Sequence, residues 1–312
     1  MSPEVRRAAE ILKRGGLVAF PTETVYGMGA DAASAAAVAR LYAVKGRPAD
    51  HPVIVHFADA QSAFAWAREV PEAARKLAAR FWPGPLTVIL KRSRLAQDFV
   101  TGGQDTVGLR VPSHPVAQQL LKQFKGGIAA PSANRFGLVS PTTAAHVRED
   151  FGSEIDLVLE GGPSEVGIES TIVDLSGGAA VLLRPGAISA DDLEKVVGVL
   201  KWKTRDSPRH AGGLERHYAP KTPARLVPTH ELDREIARLK DTVAVLAFSR
   251  PDERVDYWLR MPREPRAYAQ RLYAALRELD SAGCAGILVE APPEAPEWAA
   301  VRDRLQRACS GT

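Results

Sequence analysis

The sequence predicts an α/β fold in two parts: a larger sheet domain over residues 1–200 and a small Rossmann-like α/β domain over residues 226–312, joined by a basic linker over 201–225. Three observations predict it. Helix-period and strand-period segments alternate from the start to about residue 200. The stretch 201–225 breaks that alternation with Pro208, Gly212-Gly213, Pro220 and Pro223. The alternation then resumes, and 312 residues are too many for one comfortable core.

The elements follow in order. EVRRAAEILKR spaces its apolar residues for an amphipathic helix and stops at Gly15-Gly16. LVAF reads as a short buried strand running into Pro21. DAASAAAVARLYAVK is helical, PVIVHF a strand, VPEAARKLAARFW helical, and LTVILKR and TVGLRVP strands. HPVAQQLLKQF is helical, and GIAAPSAN is a strand entering a loop. IDLVLEGG, STIVDLS and AVLLRPG read as strands, and the helix-like DDLEKVVGVL closes the first domain. Beyond the linker come the helix ELDREIARLK, the strand TVAVLAFS, the helix YAQRLYAALRELDSAG, the strand AGILVE and a last helix near PEWAAVRDRLQRA.

Composition narrows the class. Hydrophobic residues at 45% and charged residues at 25% exclude a disordered or fibrous chain. Cys284 and Cys309 are too few for a disulfide scaffold or a four-ligand zinc site, which predicts a reducing compartment. No uncharged apolar run approaches the ~18–20 residues of a membrane span. The opening MSPEVRRAAEILKRGG lacks an apolar secretion core, so a cytoplasmic protein is expected. The net charge is +4, with 21 basic and 21 acidic residues up to position 200, so the whole excess lies beyond it. Residues 201–225 hold seven Lys/Arg against Asp206 and Glu215. Such a surplus attracts nucleotide phosphates or RNA, or else simply solvates a linker. The neutral first 200 residues and 6% aromatic content argue against the second functional class, an RNA-binding or ribosome-associated module without turnover.

Gly27-Met28-Gly29-Ala30-Asp31-Ala32 matches a loose dinucleotide fingerprint, but PTETVY separates it from the preceding strand, so it is not read as one. No P-loop, H-E-x-x-H, G-x-S-x-G or C-x-x-C pattern occurs. What remains is a set of hydroxylated and basic residues in loops and at strand ends: Thr24, Lys45, Arg47, Thr106, Arg110, Ser132, Asn134, Ser140, Ser170 and Arg184. Arg binds phosphate or carboxylate bidentately and Lys as a point charge. Each has a plainer reading as well. Ser140 and Thr142 suit helix N-caps before TTAAHVRED. Ser132 and Asn134 suit turns. Arg110 can pair with Glu169, Lys45 can be solvated surface, and His56 on VIVHF suits a satisfied, half-buried histidine. Taken alone, the set implies a cleft for an anionic, nucleotide-like ligand.

The order of these stretches says more. FPTETVYGMGADA, LYAVKGRPADHPVIVHF, FWPGPLTVILKR, DTVGLRVPSHP, APSANRFGLVSPTTA, GIESTIVDL and LRPGAI together resemble the YrdC family over roughly residues 5–200. GGLERHYAPKTP, PREPRAYAQRLYAALRELD and VEAPPEAPEWAAVRDRL resemble its longer, two-domain branch. The resemblance implies a twisted, open, mixed sheet whose helices leave a concave cleft, followed by the smaller Rossmann-like domain. It implies a nucleotidyltransferase that joins L-threonine, bicarbonate or CO2, and ATP into L-threonylcarbamoyl-AMP and pyrophosphate, serving tRNA threonylcarbamoyl-adenosine formation. Lys45, Arg47, Ser132 and Asn134 then look like the catalytic tetrad. Thr24, His56, Arg110 and Ser170 look like the threonine and carbamate pocket, with His56 a candidate to deprotonate the amine. Thr106, Ala130, Ser140 and Arg184 look like the nucleotide side, with Arg47 and Ser132 contributing. His51 stands where the family often has Asn, and it and Tyr218 are further ATP contacts; His217 and Tyr218 would form a lid. Magnesium would come with ATP, held by phosphates and water rather than by a protein site. A downstream threonylcarbamoyl transferase is the implied partner, direct tRNA binding stays open, and no membrane is involved.

Overall fold

The structure, a computed structural model, describes residues 2–204, 206–239 and 241–310. It divides into two units. The first comprises residues up to Phe136, Pro141–Glu165 and Glu169–Gly213; the second comprises Gly137–Ser140, Val166–Ile168 and Leu214 onward. The division thus falls inside the expected linker, between Gly213 and Leu214, and two short stretches of the expected first domain belong to the second. The linker is not a separate body: Leu200–Trp202 is a strand of the first unit and Ala224–Val227 a strand of the second.

The first unit is a ten-stranded mixed sheet. Its strands are β1 (Val18–Phe20), β2 (Gly27–Asp31), β3 (Ile54–His56), β4 (Leu86–Lys91), β5 (Thr106–Arg110), β6 (Ile128–Ala129), β7 (Leu157–Val158), β8 (Thr171–Asp174), β9 (Ala180–Arg184) and β10 (Leu200–Trp202). They lie in the order β10-β9-β8-β4-β5-β3-β6-β2-β1-β7. The helices are α1 (Pro3–Lys13), α2 (Ala35–Lys45), α3 (Ala60–Phe64), α4 (Glu72–Phe81), α5 (Asp98–Thr101), α6 (Pro115–Phe124), α7 (Ala144–Phe151) and α8 (Ala190–Val197). The segment GMGAD, rejected as a fingerprint, is strand β2, antiparallel to β1. Its Gly29 leaves room that neighbours fill: a Cβ there would meet Ile128 Cγ2 at 2.7 Å and Phe20 Cε1 at 2.8 Å.

The two faces of this sheet are unlike. Ala19, Val55, Val88, Leu109 and Leu182 point into the main core, with α2 and α4 contributing Val38, Leu41, Ala74 and Leu77. On the other face α1 and α6 cover Val18, Phe20 and Ile128 with Ala8, Leu12, Leu120 and Leu121. Farther along that second face, on β3, β4, β8 and β9, lies only a small apolar floor of Ile54, Ile89, Ile172, Val181 and Leu183. That trough carries the polar residues described below.

The second unit has a four-stranded, all-parallel sheet in the order β11-β14-β12-β13, with β11 Ala224–Val227, β12 Val243–Ala247, β13 Tyr257–Arg260 and β14 Gly286–Glu290. Helices α9 (Leu232–Arg238), α10 (Pro265–Asp280) and α11 (Ala299–Ala308) complete it. This is the Rossmann-like arrangement expected, built on Val227, Leu232, Ile236, Val245 and Leu288. Strand β13 has no counterpart in the sequence reading, because only Leu259 of its four residues is buried. Among the described residues, no helix is long and apolar enough to cross a membrane. Both cysteines are free.

Candidate active site

A polar row crosses the trough. Thr87 of β4 and His56 of β3 both lie opposite Arg110 of β5 in register. Strand alternation places all three on one face while Val88, Val55 and Leu109 enter the core on the other. Two residues back on the same face, Gly108 keeps the floor low, since a Cβ there would already touch Ile54 Cγ1 at 3.4 Å.

Arg110 is 4% exposed. Its Nη2 donates to Glu23 Oε1 at 2.7 Å and to Thr24 Oγ1 at 2.9 Å. Its partner is therefore Glu23, not the Glu169 considered from sequence, because the PTET loop folds over the end of β5. Thr24 Oγ1 also shares a 2.9 Å hydrogen bond with Thr22 Oγ1. Two nitrogens of the row, Arg110 Nε and His56 Nδ1, are buried without a hydrogen-bond partner among the described residues. Burial, reinforced by the Arg110 charge, pushes the His56 imidazole down to about 3. His56 is thus neutral near pH 7, able to hydrogen-bond but far too weak a base to take a proton from an ammonium group.

At the other end of the row, the Thr87 and Ser170 hydroxyls are 2.8 Å apart in a hydrogen bond. Arg184 donates from Nε to the Ser170 carbonyl at 3.0 Å and from Nη2 to Ser170 Oγ at 3.1 Å. Its Nη1 reaches the carbonyl of Ala211 at 2.9 Å.

Of the expected tetrad, Lys45 meets Ser132 and Asn134 directly, and not as a free group facing solvent. Helix α2 ends at Lys45 because Gly46 adopts the left-handed conformation, φ 71°, which turns the chain toward Arg47. Lys45 is 1% exposed rather than solvated. Its Nζ donates to the carbonyls of Ser132 at 2.7 Å and Asn134 at 2.6 Å and to Asn134 Oδ1 at 3.2 Å. Burial first, then the Arg47 charge, holds its ammonium well below the usual lysine range. Arg47 Nη2 donates to the Pro52 carbonyl at 2.7 Å, and its guanidinium lies 5.8 Å from the Phe136 ring centre. His51 meets the same ring edge-on at 5.5 Å. Ser132 pairs by backbone bridge with Gly27, and Ala130 N–H donates to the Ile54 carbonyl, so this loop is fixed to the sheet.

Thr106 lies on the trough with Gly108, Thr87 and Ile54, where Arg209, His210 and Ala211 close over a cavity of about 20 Å³. Gln104 anchors that cover: its Oε1 accepts from the Arg209 N–H at 2.8 Å and its Nε2 donates to the Arg209 carbonyl at 3.0 Å. Within the first unit the residues covering the trough are Arg209–Ala211; His217 and Tyr218 are the lid expected from sequence. Both of those belong to the second unit, as does Ser140. Tyr218 is buried there, its ring 5.7 Å from that of Tyr273 and 5.4 Å from the Arg304 guanidinium. The N-cap of α7 is Thr143, not Ser140 or Thr142. A larger groove of about 580 Å³ opens between Phe64, Arg75, Trp82 and Pro83, and none of the expected site residues lines it.

Thr87 and Gln104 escaped the sequence reading, and Glu23 and Arg209 stood in stretches it singled out but had no role of their own there. Thr87 left a usable signal, a lone hydroxyl in the otherwise apolar run LTVIL.

Comparison with known proteins agrees in both units. The family model for the Sua5, YciO and YrdC proteins, described as Telomere recombination, matches residues 10–186. A second model, Threonylcarbamoyl-AMP synthase, C-terminal domain, matches residues 188–310. The threonylcarbamoyl-AMP synthase of Pyrococcus abyssi is 41% identical over 320 residues, covering 98% of this chain and 94% of that one. That of Bacillus subtilis is 36% identical, with 99% and 94% covered. The crystal structure of P. abyssi Sua5 complexed with L-threonine superposes with a TM-score of 0.93 at 39% identity, covering 98% of this chain and 94% of that chain.

Proposed function

The chain belongs to the Sua5–YciO–YrdC family in its two-domain form, and we propose that the trough of its first unit binds L-threonine by its carboxylate and joins it, as a carbamate, to the α-phosphate of ATP. The activity is that of a threonylcarbamoyl-AMP synthase, a nucleotidyl transfer. The observation that carries the placement is the pair of buried, partnerless nitrogens, Arg110 Nε and His56 Nδ1, on adjoining strands. Buried polar atoms are normally satisfied, and a carboxylate is the acceptor that a guanidinium favours.

The chemistry asks for little beyond position and charge. The neutral amine of threonine adds to the carbon of CO2, supplied as such or from bicarbonate; an N–C bond forms and the nitrogen loses a proton. A carbamate oxygen then attacks the α-phosphorus, and the bond to pyrophosphate breaks. With a pKa of about 3, His56 holds substrate as a neutral group rather than removing the amine proton. Thr87 and Ser170 offer hydroxyls to the amino acid beside the same row. Lys45, Arg47, Arg110 and Arg184 are four buried cations on the unit that would meet the polyanion, and fixed charge of this kind stabilises a phosphoryl-transfer transition state. The Arg209–Ala211 cover supports exclusion of water from the labile carbamate.

Among the described residues no group of three His, Cys, Asp or Glu side chains gathers as a metal site. Magnesium would enter with ATP, held by phosphate oxygens and water. The product is a reactive mixed anhydride, which calls for a threonylcarbamoyl transferase acting on tRNA in the cytoplasm. The test is pyrophosphate release by the purified protein with Mg-ATP. Release is expected only when L-threonine and bicarbonate are both present, with the adduct detected by mass spectrometry; release indifferent to threonine refutes the reading.

A further inference from the structure

Glu23 has no role in the account above beyond being the partner of Arg110. It is 3% exposed, in a loop 87 residues away in sequence from that arginine. Both of its oxygens are engaged: Oε1 accepts from Arg110 Nη2 at 2.7 Å, and Oε2 accepts from the Ser113 backbone N–H at 3.0 Å. The carboxylate therefore ties the tip of Arg110 to the main chain three residues beyond it, just past the end of β5.

A buried ion pair contributes little net stability, because desolvation offsets its attraction. What this pair does supply is direction. A guanidinium has five N–H donors on a long, rotatable stem. With Nη2 held by Glu23 and Thr24, the group is anchored, and Nε remains a donor without a partner on the strand paired with that of His56.

We propose that Glu23 is a positioning residue, which orients Arg110 so that its remaining donors meet the carboxylate of the amino-acid substrate. The proposal rests on the threonine reading of the trough. Glu23 touches no substrate; its effect runs through Arg110 and through the carboxylate that Arg110 receives.

Two variants separate orientation from charge. Glu23→Gln keeps the length but has one acceptor oxygen for two donors. Glu23→Asp keeps the charge but is one methylene too short to span Arg110 and Ser113 together. Calorimetry measures binding of L-threonine and of L-threoninamide, in which a neutral amide replaces the carboxylate; pyrophosphate release measures KM for threonine and for ATP. Both variants are expected to bind L-threonine about tenfold or more weakly, the scale of a charge-assisted hydrogen bond. KM for ATP should stay within about twofold, and the preference for threonine over threoninamide should shrink by a factor similar to the loss in threonine affinity. If Glu23→Gln does not fold, Glu23→Asp decides, since it retains the buried charge pair. Wild-type affinity for threonine in Glu23→Asp overturns the proposal, as does an equal loss for threonine, threoninamide and ATP, which would mark a merely structural role. A wild-type protein that binds no L-threonine would instead remove the threonine reading itself, and this proposal with it.

Discussion

Lys45 has three N–H donors, and carbonyl or amide oxygens of Ser132 and Asn134 accept all of them. Removing it leaves two carbonyls and a side-chain amide oxygen buried without their donor, so the Pro131–Asn134 loop should lose its shape as the site loses a cation. Lys45→Ala is expected to lower turnover by about a hundredfold or more, the scale of losing a fixed electrostatic group, and Arg47→Ala to do likewise. Far-UV circular dichroism should show the fold retained, and near-normal pyrophosphate release by either variant would contradict the assignment. His56 gives a pH-dependent prediction. Its folded pKa of about 3 lies below the unfolded value near 6.5. The unfolded chain therefore takes up the proton first, and stability falls as pH drops from about 6.5 toward 3. That contribution is about 1.4 kcal/mol per pH unit. Chemical denaturation at pH 6, 5 and 4 should show a shallower decline for His56→Asn than for the wild type.

At the scale of the element, strand β5 carries the core and the site on alternate residues. Leu109 is fully buried, and truncating it to Ala should cost about 2–5 kcal/mol, read from urea unfolding, with no direct effect on the polar row. Gly29→Ala on β2 should also destabilise, by about 1–3 kcal/mol, because Phe20 and Ile128 must yield to the new methyl group. The sequence made the long helices and the hydrophobic strands visible, since α2, α4, α6, α10 and β12 each impose a period or a continuous apolar run. Strand β2 was not legible: GMGAD lacks the bulky residues of a strand because its neighbours supply them. The order of motifs singled out residues that line the trough, Thr106, Arg110, Ser170 and Arg184 among them, yet not the contacts within it. The pairings of Arg110 with Glu23 and of Lys45 with the Asn134 loop span 87 and 89 residues, and no local pattern reports such distances.

Over the whole molecule, one cation of the basic stretch, Arg209, is engaged. Arg209 pairs with Asp50 at 3.3 Å and donates to the Gly102 carbonyl at 2.8 Å. Composition marks proline and glycine but not which sheet a strand joins, so it did not show that Leu200–Trp202 is a strand of the first unit. The second unit also recruits chain from well before Leu214: Ala219 N–H donates to the Gly137 carbonyl and Arg277 Nη2 to the Val139 carbonyl. A fragment beginning at Leu214 lacks both acceptors, and each lost hydrogen bond is worth about 1 kcal/mol. Such a fragment should exchange its Ala219 amide faster, and melt at a lower temperature, than the same unit within the full chain. Val139 and Arg277 are 138 residues apart. At about 5–20 residues per second on the ribosome, roughly 7 to 28 seconds separate the emergence of these two partners. The stretch at 137–140 must therefore wait, incomplete, while its future neighbours are still being made.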